Sequence, residues 1–250
     1  MTDQVLVTDD GAVRTIRMNR PDKKNALTAV MYDAMAEAIE TAGGSSGIGS
    51  ILIAGVPGAF SAGNDLQDFL KAAMGGDGLG GAVIRFLYAL ARAERPLVAA
   101  VQGVAVGIGT TMMFHCDYAV AASDARFSTP FVALGLVPEA ASSLIAPRVM
   151  GHRRAFELLV MGKSLTGEDA KACGLVNQVA PADQVEAEAM KAAQQIAALP
   201  PEGVAISRRL MKGAPDEIVK RIDDEAEQFK LRLKSPEAKK AFETFFARKK

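Results

Sequence analysis

Apolar runs alternate with segments of helical spacing along roughly the first 180 residues of the chain. Two runs rich in β-branched residues flank Asp9-Asp10-Gly11, a turn sequence, and predict a β-hairpin over residues 5–8 and 13–18. Three later runs are short and almost wholly apolar, which is typical of strands buried on both faces: 50–54, 97–101 and 118–122. Such strands alternating with helices predict an α/β fold with parallel sheet elements.

The helical segments carry start signals and stop signals. Thr28 precedes a segment with apolar residues at helical spacing, including Met31 and Met35, that ends at Gly43-Gly44. Thr166, with Asp169 at the third helical position, predicts a second capped helix. Other elements predicted from pattern are helices at 65–73, 83–93 and from about 109, a strand at 175–179, and helices at 183–199, 202–212, 216–233 and 235–250.

The segment 97–116 contains no charged side chain and reaches the length of a membrane-spanning helix. It follows Pro96 directly and holds several glycines and hydroxyl side chains, Thr110 and Thr111 among them. These residues suit a buried strand, a tight turn and a buried helix better than a helix exposed to lipid. We therefore expect this segment to be part of the core.

Composition narrows the possible partners and cofactors. The 250 residues include 29 basic and 29 acidic side chains, so a basic surface for nucleic acid or an anionic membrane is not expected. Two cysteines and two histidines are too few for a disulfide framework or a Cys- or His-rich metal site, so no metal is expected. The first residues lack the pattern of a secretory leader, which together with the cysteine count favours a cytoplasmic protein.

Two glycine-containing loops each follow a predicted core strand and run into a helix. One is Ala59-Phe-Ser-Ala-Gly-Asn-Asp65, and the other is Gly103-Val-Ala-Val-Gly-Ile-Gly109. Free backbone N–H groups cluster at such junctions and can hold a developing negative charge on oxygen, as an oxyanion hole does. Two ordinary strand-to-helix turns would have the same sequence pattern, so the residues alone leave both interpretations open.

Glu139 is the only carboxylate in an otherwise uncharged stretch, residues 127–147. A carboxylate at a helix N-terminus is stabilised by the helix dipole, which lowers its pKa. A carboxylate removed from water is instead a stronger base, because desolvation raises its pKa. The sequence does not decide which of these environments surrounds Glu139.

Taken together, these segments resemble the crotonase superfamily, the enoyl-CoA hydratase/isomerase family. The resemblance rests on ordered motifs between the hairpin and about Val179: Asn19-Arg-Pro-Asp-Lys-Lys-Asn-Ala-Leu-Thr28, Ala59-Phe-Ser-Ala-Gly-Asn-Asp-Leu66, Pro96-Leu-Val-Ala-Ala-Val-Gln-Gly103 with the glycine turn after it, and Cys116-Asp117. It implies an α/β, crotonase-like (ClpP/crotonase) fold, with a ββα spiral core and a C-terminal helical trimerisation region. We assign residues 1–199 to the spiral core, for acyl-CoA binding and catalysis, and 200–250 to the helical region, as lid and oligomerisation surface.

The family binds acyl-CoA thioesters and stabilises their enolate with two backbone N–H groups. Carried over by motif position, the resemblance assigns these groups to Ala62 and Ile108, and it makes Lys24 the candidate for a phosphate contact. The residues that it implies for binding the CoA ester are Lys24, Ala26, Leu27, Ala62, Gly63, Asn64, Asp65, Leu66 and Gly107. Coenzyme A enters as part of the substrate thioester, so no separate cofactor is expected.

The carboxylates indicate which reaction the resemblance implies. Hydratases of this family use two glutamates, and those places hold Thr111 and Phe131 here, neither of which can act as acid or base. Glu139, in Leu134-Gly-Leu-Val-Pro-Glu139, resembles the single glutamate of the peroxisomal-type Δ3,Δ2-enoyl-CoA isomerase branch. That glutamate takes a proton from C2 and returns one at C4. We therefore expect an isomerase that converts 3-enoyl-CoA to 2-enoyl-CoA in fatty acid degradation.

Three alternatives stay open beside the isomerase. They are an enoyl-CoA hydratase, another crotonase-family reaction, and a non-catalytic acyl-CoA-binding paralogue. Loss of both hydratase glutamates is compatible with the paralogue, whereas retention of Glu139 argues against it. The expected partners are an acyl-CoA thioester and further copies of this chain, in a homotrimer or homohexamer, with no nucleic acid and no membrane.

Overall fold

The computed structural model of the chain describes residues 2–65 and 80–247. The helix predicted over 65–73 lies outside these ranges apart from Asp65, and Leu66 lies outside them as well. The helix predicted over 83–93 is present and begins slightly earlier, at Gly80.

The described part of the chain contains ten strands in two sheets. In chain order the strands are β1 (Val5–Asp10), β2 (Val13–Met18), β3 (Ser50–Ala54), β4 (Ala59–Ser61), β5 (Leu97–Val101), β6 (Val104–Val106), β7 (Tyr118–Ala122), β8 (Arg126–Ser128), β9 (Leu165–Thr166) and β10 (Gln178–Ala180). The larger sheet has the order β1-β2-β3-β5-β7-β10 and is parallel apart from the β1–β2 hairpin. The smaller sheet has the order β4-β6-β8-β9, with β8 and β9 antiparallel.

The same residues contain ten α-helices and three 3-10 turns. The helices are α1 (Ala29–Gly43), α2 (Gly80–Arg92), α3 (Ile108–Thr111), α4 (Ser142–Met150), α5 (His152–Leu159), α6 (Gly167–Ala172), α7 (Val185–Ala197), α8 (Pro201–Lys212), α9 (Pro215–Leu233) and α10 (Pro236–Ala247). The 3-10 turns are Pro21–Lys23, Met112–His115 and Val132–Leu134.

The chain repeats a strand-strand-helix unit, which is the predicted ββα spiral. β3, β5 and β7 each enter the larger sheet, and the strand that follows each of them enters the smaller sheet. α2 leads from the first pair of strands to the second, and α3 leads from the second pair to the third. Consecutive turns of the spiral therefore bring the loops after β4 and β6 to the same edge of the smaller sheet.

The core elements form where the apolar pattern predicts them, because their side chains are buried. β3 and β5 are buried at every position, as parallel strands covered on both faces are. α1 begins at the predicted cap, where the Thr28 hydroxyl accepts the N–H of Met31 at 3.4 Å. Thr166 and Asp169 likewise form a reciprocal capping box at the start of α6.

Two expectations about strands are wrong. The last strand of the larger sheet is Gln178–Ala180 and not 175–179, because Leu175 and Val176 are buried in the turn that follows α6. The smaller sheet is missing from the predicted elements altogether. Its strands have two or three residues, too few for any hydrophobic period to stand out.

The uncharged segment 97–116 belongs to the core, as predicted. It divides into β5, β6, α3 and the turn Met112–His115. His115 is buried, and its Nε2 atom lies 2.8 Å from the carbonyl oxygen of Ala140, so it is a hydrogen-bonded core residue. Within 2–65 and 80–247, no helix combines the length and the apolar character needed to cross a membrane.

The C-terminal helices pack against the α/β core of the same chain. Phe229 and Leu233 on α9 and Phe242 on α10 are buried in one hydrophobic core with the sheets. α8 has no buried residue and is attached through polar contacts, among them Arg208 Nε to Asp117 Oδ2 at 2.8 Å. The division of the chain at residue 199 stays a prediction.

Candidate active site

The loops after β4 and β6 lie against each other. β4 and β6 are parallel neighbours, with Ser61 opposite Ala105. Gly63 has φ +88°, and a Cβ atom at this position would lie 2.8 Å from the Val106 carbonyl oxygen. A Cβ atom on Gly109 would lie 2.9 Å from the Ser61 carbonyl oxygen. Glycine at these positions lets the two turns approach closely, and Gly107 caps α3 between them with φ +55°.

The backbone N–H groups in these turns differ in whether they are already used. The N–H of Ala62 donates to the carbonyl oxygen of Lys24 at 2.8 Å. The N–H of Gly63 donates to the Ser61 hydroxyl at 3.1 Å. No acceptor within the described ranges takes the N–H of Asn64 or that of Ile108.

This bonding favours a different N–H from the one expected in the loop after β4. Ala62 was expected to supply an N–H, but that group is committed to Lys24 and would have to break its bond to serve. The N–H of Asn64, two residues later, is available in the same turn. The structure is compatible with Ile108 as expected, because it is the first residue of α3 and the first N–H groups of a helix have no intrahelical acceptor.

Tyr32 fixes the side chain of Asn64. Its hydroxyl donates to Asn64 Oδ1 at 2.5 Å, and its ring is buried beside Phe86 with the ring centroids 5.3 Å apart. Burial raises the pKa of Tyr32 well above its ordinary value, and the charge of Glu139 raises it further. Tyr32 was not among the predicted site residues, although a lone tyrosine on the apolar face of α1 was a signal that could have identified it.

The segment Lys24–Leu27 is tied to the loop after β4. Asn25 is buried, with φ +55°, and its side-chain amide donates to the carbonyl oxygens of Ala59 and Phe60 at 3.0 and 3.1 Å. The N–H of Leu27 donates to the Gly63 carbonyl oxygen at 2.7 Å. The Lys24 side chain stays exposed, so an ammonium group lies at the surface next to the loop.

Arg20 joins the remaining residues of this region. Its Nη1 atom donates to the Ala26 carbonyl oxygen at 2.9 Å and to Asp65 Oδ2 at 2.6 Å. Asp65 therefore contributes an ion pair that braces the loop, and Ala26 lies beside it. Of the residues predicted to bind the CoA ester, the described ones gather around the two turns, and Leu66 falls outside the described ranges.

Glu139 is buried, with 2% of its surface exposed. The Thr111 hydroxyl donates to its Oε1 atom at 2.5 Å, and its Oε2 atom has no partner within the described ranges. Burial raises the pKa of Glu139 to about 8, the bond from Thr111 lowers it, and the charge of Glu225 raises it further. Of the two environments that the sequence left open, the desolvated one therefore prevails.

Thr111 and Phe131, which stand where the resemblance implies the glutamates of a hydratase, adjoin this carboxylate or the glycine turn. Thr111 touches Glu139 directly, whereas the ring of Phe131 lies 4.0 Å from the place of a Cβ atom on Gly107. Both side chains are buried, and neither can exchange a proton with water near pH 7. The described site therefore holds one carboxylate with a free oxygen atom, and this carboxylate is bonded to Thr111 of the short helix that begins at Ile108.

The enoyl-CoA hydratase/isomerase family model matches residues 8–250, nearly the whole chain. The chain belongs to the enoyl-CoA hydratase/isomerase family. A crystal structure of an enoyl-CoA hydratase/isomerase from Pseudoalteromonas atlantica is 37% identical and superposes with a TM-score of 0.92, covering 98% of each chain. The predicted crotonase-like α/β fold is confirmed by this similarity.

Relatives within the enoyl-CoA hydratase/isomerase family include isomerases of different kinds. Enoyl-CoA delta isomerase 2 from Rattus norvegicus is 36% identical over 250 residues, which cover 98% of this chain but 64% of the rat protein. This chain thus spans less than two thirds of that relative's length. 1,2-Epoxyphenylacetyl-CoA isomerase from Escherichia coli is 29% identical over 255 residues, which cover 100% of this chain and 97% of the E. coli protein. The predicted resemblance to enoyl-CoA isomerases is confirmed.

Proposed function

We propose that this chain isomerises 3-enoyl-CoA thioesters to 2-enoyl-CoA thioesters in fatty acid degradation, with Glu139 as the only base. The observation that carries the proposal is the buried Glu139 carboxyl, whose Oε2 atom has no partner among the described residues and whose pKa is raised to about 8. A base whose pKa lies near the working pH is suited to removing a weakly acidic proton and returning it.

The reaction needs one proton to leave and one to return. The Glu139 carboxylate takes a proton from C2, and the electrons of the C2–H bond form a dienolate that extends to the thioester oxygen. The double bond then lies between C2 and C3 when the same carboxyl returns a proton to C4. No net proton, electron or water is consumed, so a single carboxyl suffices.

The dienolate oxygen requires hydrogen-bond donors that are in place before charge develops on it. The backbone N–H groups of Asn64 and Ile108, which have no acceptor in the part of the chain that the structure describes, are the donors that we assign to this role. Donors of this kind contribute roughly 3 to 4 kcal/mol each to transition-state stabilisation in enzymes that have been tested by mutation. The bond from Tyr32 to the Asn64 side chain supports the donor turn in one conformation.

The remaining binding assignments follow from placement around these turns. Lys24 is exposed at the rim and is proposed to contact a phosphate of coenzyme A. Ala26, Leu27, Gly63, Asn64, Asp65, Leu66 and Gly107 are proposed to surround the pantetheine and thioester. Coenzyme A belongs to the substrate, so we propose no separate cofactor.

Self-association is proposed from the exposed apolar surface of the helical region. Leu210 and Met211 on α8 are 78% and 81% exposed, and a groove of about 410 Å³ beside them is lined by Ile196, Pro200 and Val204. Such a surface is typical of an interface between copies of a chain. A trimer would have three times the chain mass of 26.3 kDa, which light scattering on the eluting protein measures directly. The cytoplasmic location stays a prediction.

Two parallel absorbance assays test the proposed reaction. Purified protein is mixed with a 3-enoyl-CoA in one and with a 2-enoyl-CoA in the other, and the ultraviolet absorbance of the conjugated thioester is followed. Absorbance gained in the first and unchanged in the second is the expected result. Absorbance lost in the second would instead identify a hydratase.

Calorimetric titration with a saturated acyl-CoA separates the remaining outcomes. Binding without turnover of either substrate would identify a non-catalytic binder or a different reaction of the family, as the similarity to the E. coli epoxide isomerase allows. Absence of binding would contradict every acyl-CoA function, including the proposed one.

A further inference from the structure

We propose that Glu225, on α9 of the C-terminal helical region, is a positioning residue for Glu139. Its carboxylate holds the strained turn that directs the Glu139 side chain into the site. The inference rests on the proposed function, since it presumes that Glu139 is the base. A residue of the C-terminal region would thereby orient the base of the reaction, in addition to the groups that the two glycine turns supply.

The turn directly after Glu139 has an unfavourable backbone conformation. Ala140 and Ala141 have φ +60° and +55°, in the left-handed region where a Cβ atom clashes with the backbone. Both alanines are fully buried, and they connect Glu139 to the first turn of α4. Consecutive non-glycine residues in this region persist only where surrounding contacts over-determine them.

Glu225 accepts three hydrogen bonds from this turn and the start of α4. Its Oε2 atom accepts the N–H of Ala141 at 2.6 Å. Its Oε1 atom accepts both the N–H and the hydroxyl of Ser143, at 2.9 and 2.5 Å. One buried carboxylate therefore accepts three donors from the start of α4, where the helix dipole also favours negative charge.

The opposite side of the turn is held as well. The carbonyl oxygen of Ala140 lies 2.8 Å from His115 Nε2, and the N–H of Ser142 donates to the Glu139 carbonyl oxygen at 3.1 Å. Burial lowers the pKa of His115 to about 4, so this side chain is neutral at the pH of the reaction. The peptide of Glu139 and the two alanines are thus fixed between His115 and Glu225.

Several charged or titratable groups surround the two carboxyls. In addition to burial, the charge of Glu225 on α9 raises the pKa of Glu139, which accepts the hydroxyl of Thr111 on α3, and the charge of Glu139 in turn raises the pKa of Tyr32 on α1. Burial raises the pKa of Glu225, whereas the bonds that it accepts from Ser143 and Ala141 lower it. Arg221, one turn before Glu225 on α9, also lowers this pKa and donates to the Ser143 hydroxyl at 3.1 Å. Removal of the Glu225 charge should therefore lower the pKa of Glu139, because a nearby like charge is lost.

Glu225→Gln tests the inference with the shape of the side chain retained. The glutamine has one acceptor oxygen where the carboxylate has two, so an N–H of the turn then faces an amide N–H. We expect kcat for isomerisation to fall about tenfold or more while KM stays within about twofold, since misdirected reacting groups affect turnover more than binding. The acidic limb of the kcat profile should also move to lower pH.

Three companion proteins make the result decisive. Glu227→Gln, an exposed position on the same helix, controls for loss of a surface charge and should match the wild type. Ser143→Ala removes one donor and keeps both N–H bonds and the Glu225 carboxylate, so it should show a smaller fall in kcat with the acidic limb left in place. Glu139→Gln reports on the proposed function separately, because its full activity would refute Glu139 as the base whatever Glu225 does.

The turnover of folded Glu225→Gln decides for or against the inference. A folded Glu225→Gln protein with wild-type kcat and an unmoved acidic limb would overturn the inference, even if its melting temperature had fallen. If that variant does not fold, Ser143→Ala decides in its place. A fall in kcat at constant KM supports positioning by Glu225, and wild-type turnover refutes it.

Discussion

Glu139→Gln should make the protein more stable at neutral pH while abolishing its proposed activity. Glu139 is 2% exposed, and burial raises its pKa from an ordinary value of 4.5 to about 8. A carboxyl whose pKa is raised by folding contributes its full stability below about pH 4.5, and that stability is lost as the pH rises toward 8. Glutamine does not ionise in either state, so the variant avoids this loss.

The size of the effect follows from the two pKa values. At pH 7 the carboxyl is ionised in the unfolded chain and still largely protonated in the folded protein. With about 1.4 kcal/mol per pH unit, wild type loses about 3 kcal/mol between pH 4.5 and 7. The second N–H of glutamine adds a buried donor without an acceptor, at a cost of roughly 1 kcal/mol, whereas Thr111 can still donate to the amide oxygen. We expect a net gain of about 1–3 kcal/mol, or several degrees in Tm.

Thermal and urea denaturation of both proteins from about pH 5 to 8.5 measures this gain. The difference in unfolding free energy should grow with pH and level off above about pH 8. His115 stays neutral in this range and is common to both proteins, so it does not contribute to the difference. Glu227→Gln, at an exposed position, is the matched control and should show no such slope. A difference for Glu139→Gln that is flat across this range would refute the assigned pKa and the desolvation that causes it.

Two further variants test the contacts of the site. Thr111→Val removes the donor to Glu139 Oε1, so the acidic limb of the kcat/KM profile should move up by about one pH unit. The matched control is Thr110→Val, because the Thr110 hydroxyl donates to the Ala105 carbonyl oxygen and not to Glu139. This control should leave the limb in place. An unmoved limb in Thr111→Val would show that this bond does not tune the base. Tyr32→Phe keeps the packing against Phe86 but removes the hydroxyl that donates to Asn64 Oδ1. We expect kcat to fall by up to about tenfold in steady-state kinetics, with the fold retained in circular dichroism. Wild-type kcat in Tyr32→Phe would show that the Asn64 turn needs no such support.

The elements that the sequence predicted well are those with many apolar side chains to bury. The hairpin, α1 and the strands β3, β5 and β7 follow directly from the hydrophobic pattern, because each is long enough to show a period or a continuous apolar run. The strands of the smaller sheet have only two or three residues, and they form only because the spiral brings them together. Pairing across the fold, not local pattern, determines these strands.

The sequence predicted only part of the chemistry of the site, because several contacts of the site join residues that are far apart along the chain. Glu139 stood out because no other charge surrounds it in the sequence, and its burial agrees with that isolation. The carbonyl oxygen of Lys24 accepts the N–H of Ala62, and this bond determines which N–H group of the loop after β4 is left for a ligand. The contacts of Glu225 join residues more than 80 positions apart, so no local pattern could reveal them.

The most direct test of the central claim is the turnover of a 3-enoyl-CoA by folded Glu139→Gln beside wild type, with binding of a saturated acyl-CoA measured in both. If Glu139 is the base that moves the proton, kcat should fall by about 100-fold or more while the dissociation constant stays nearly unchanged. Wild-type turnover by the variant, with equal binding, would contradict the account and would require another group to take the C2 proton.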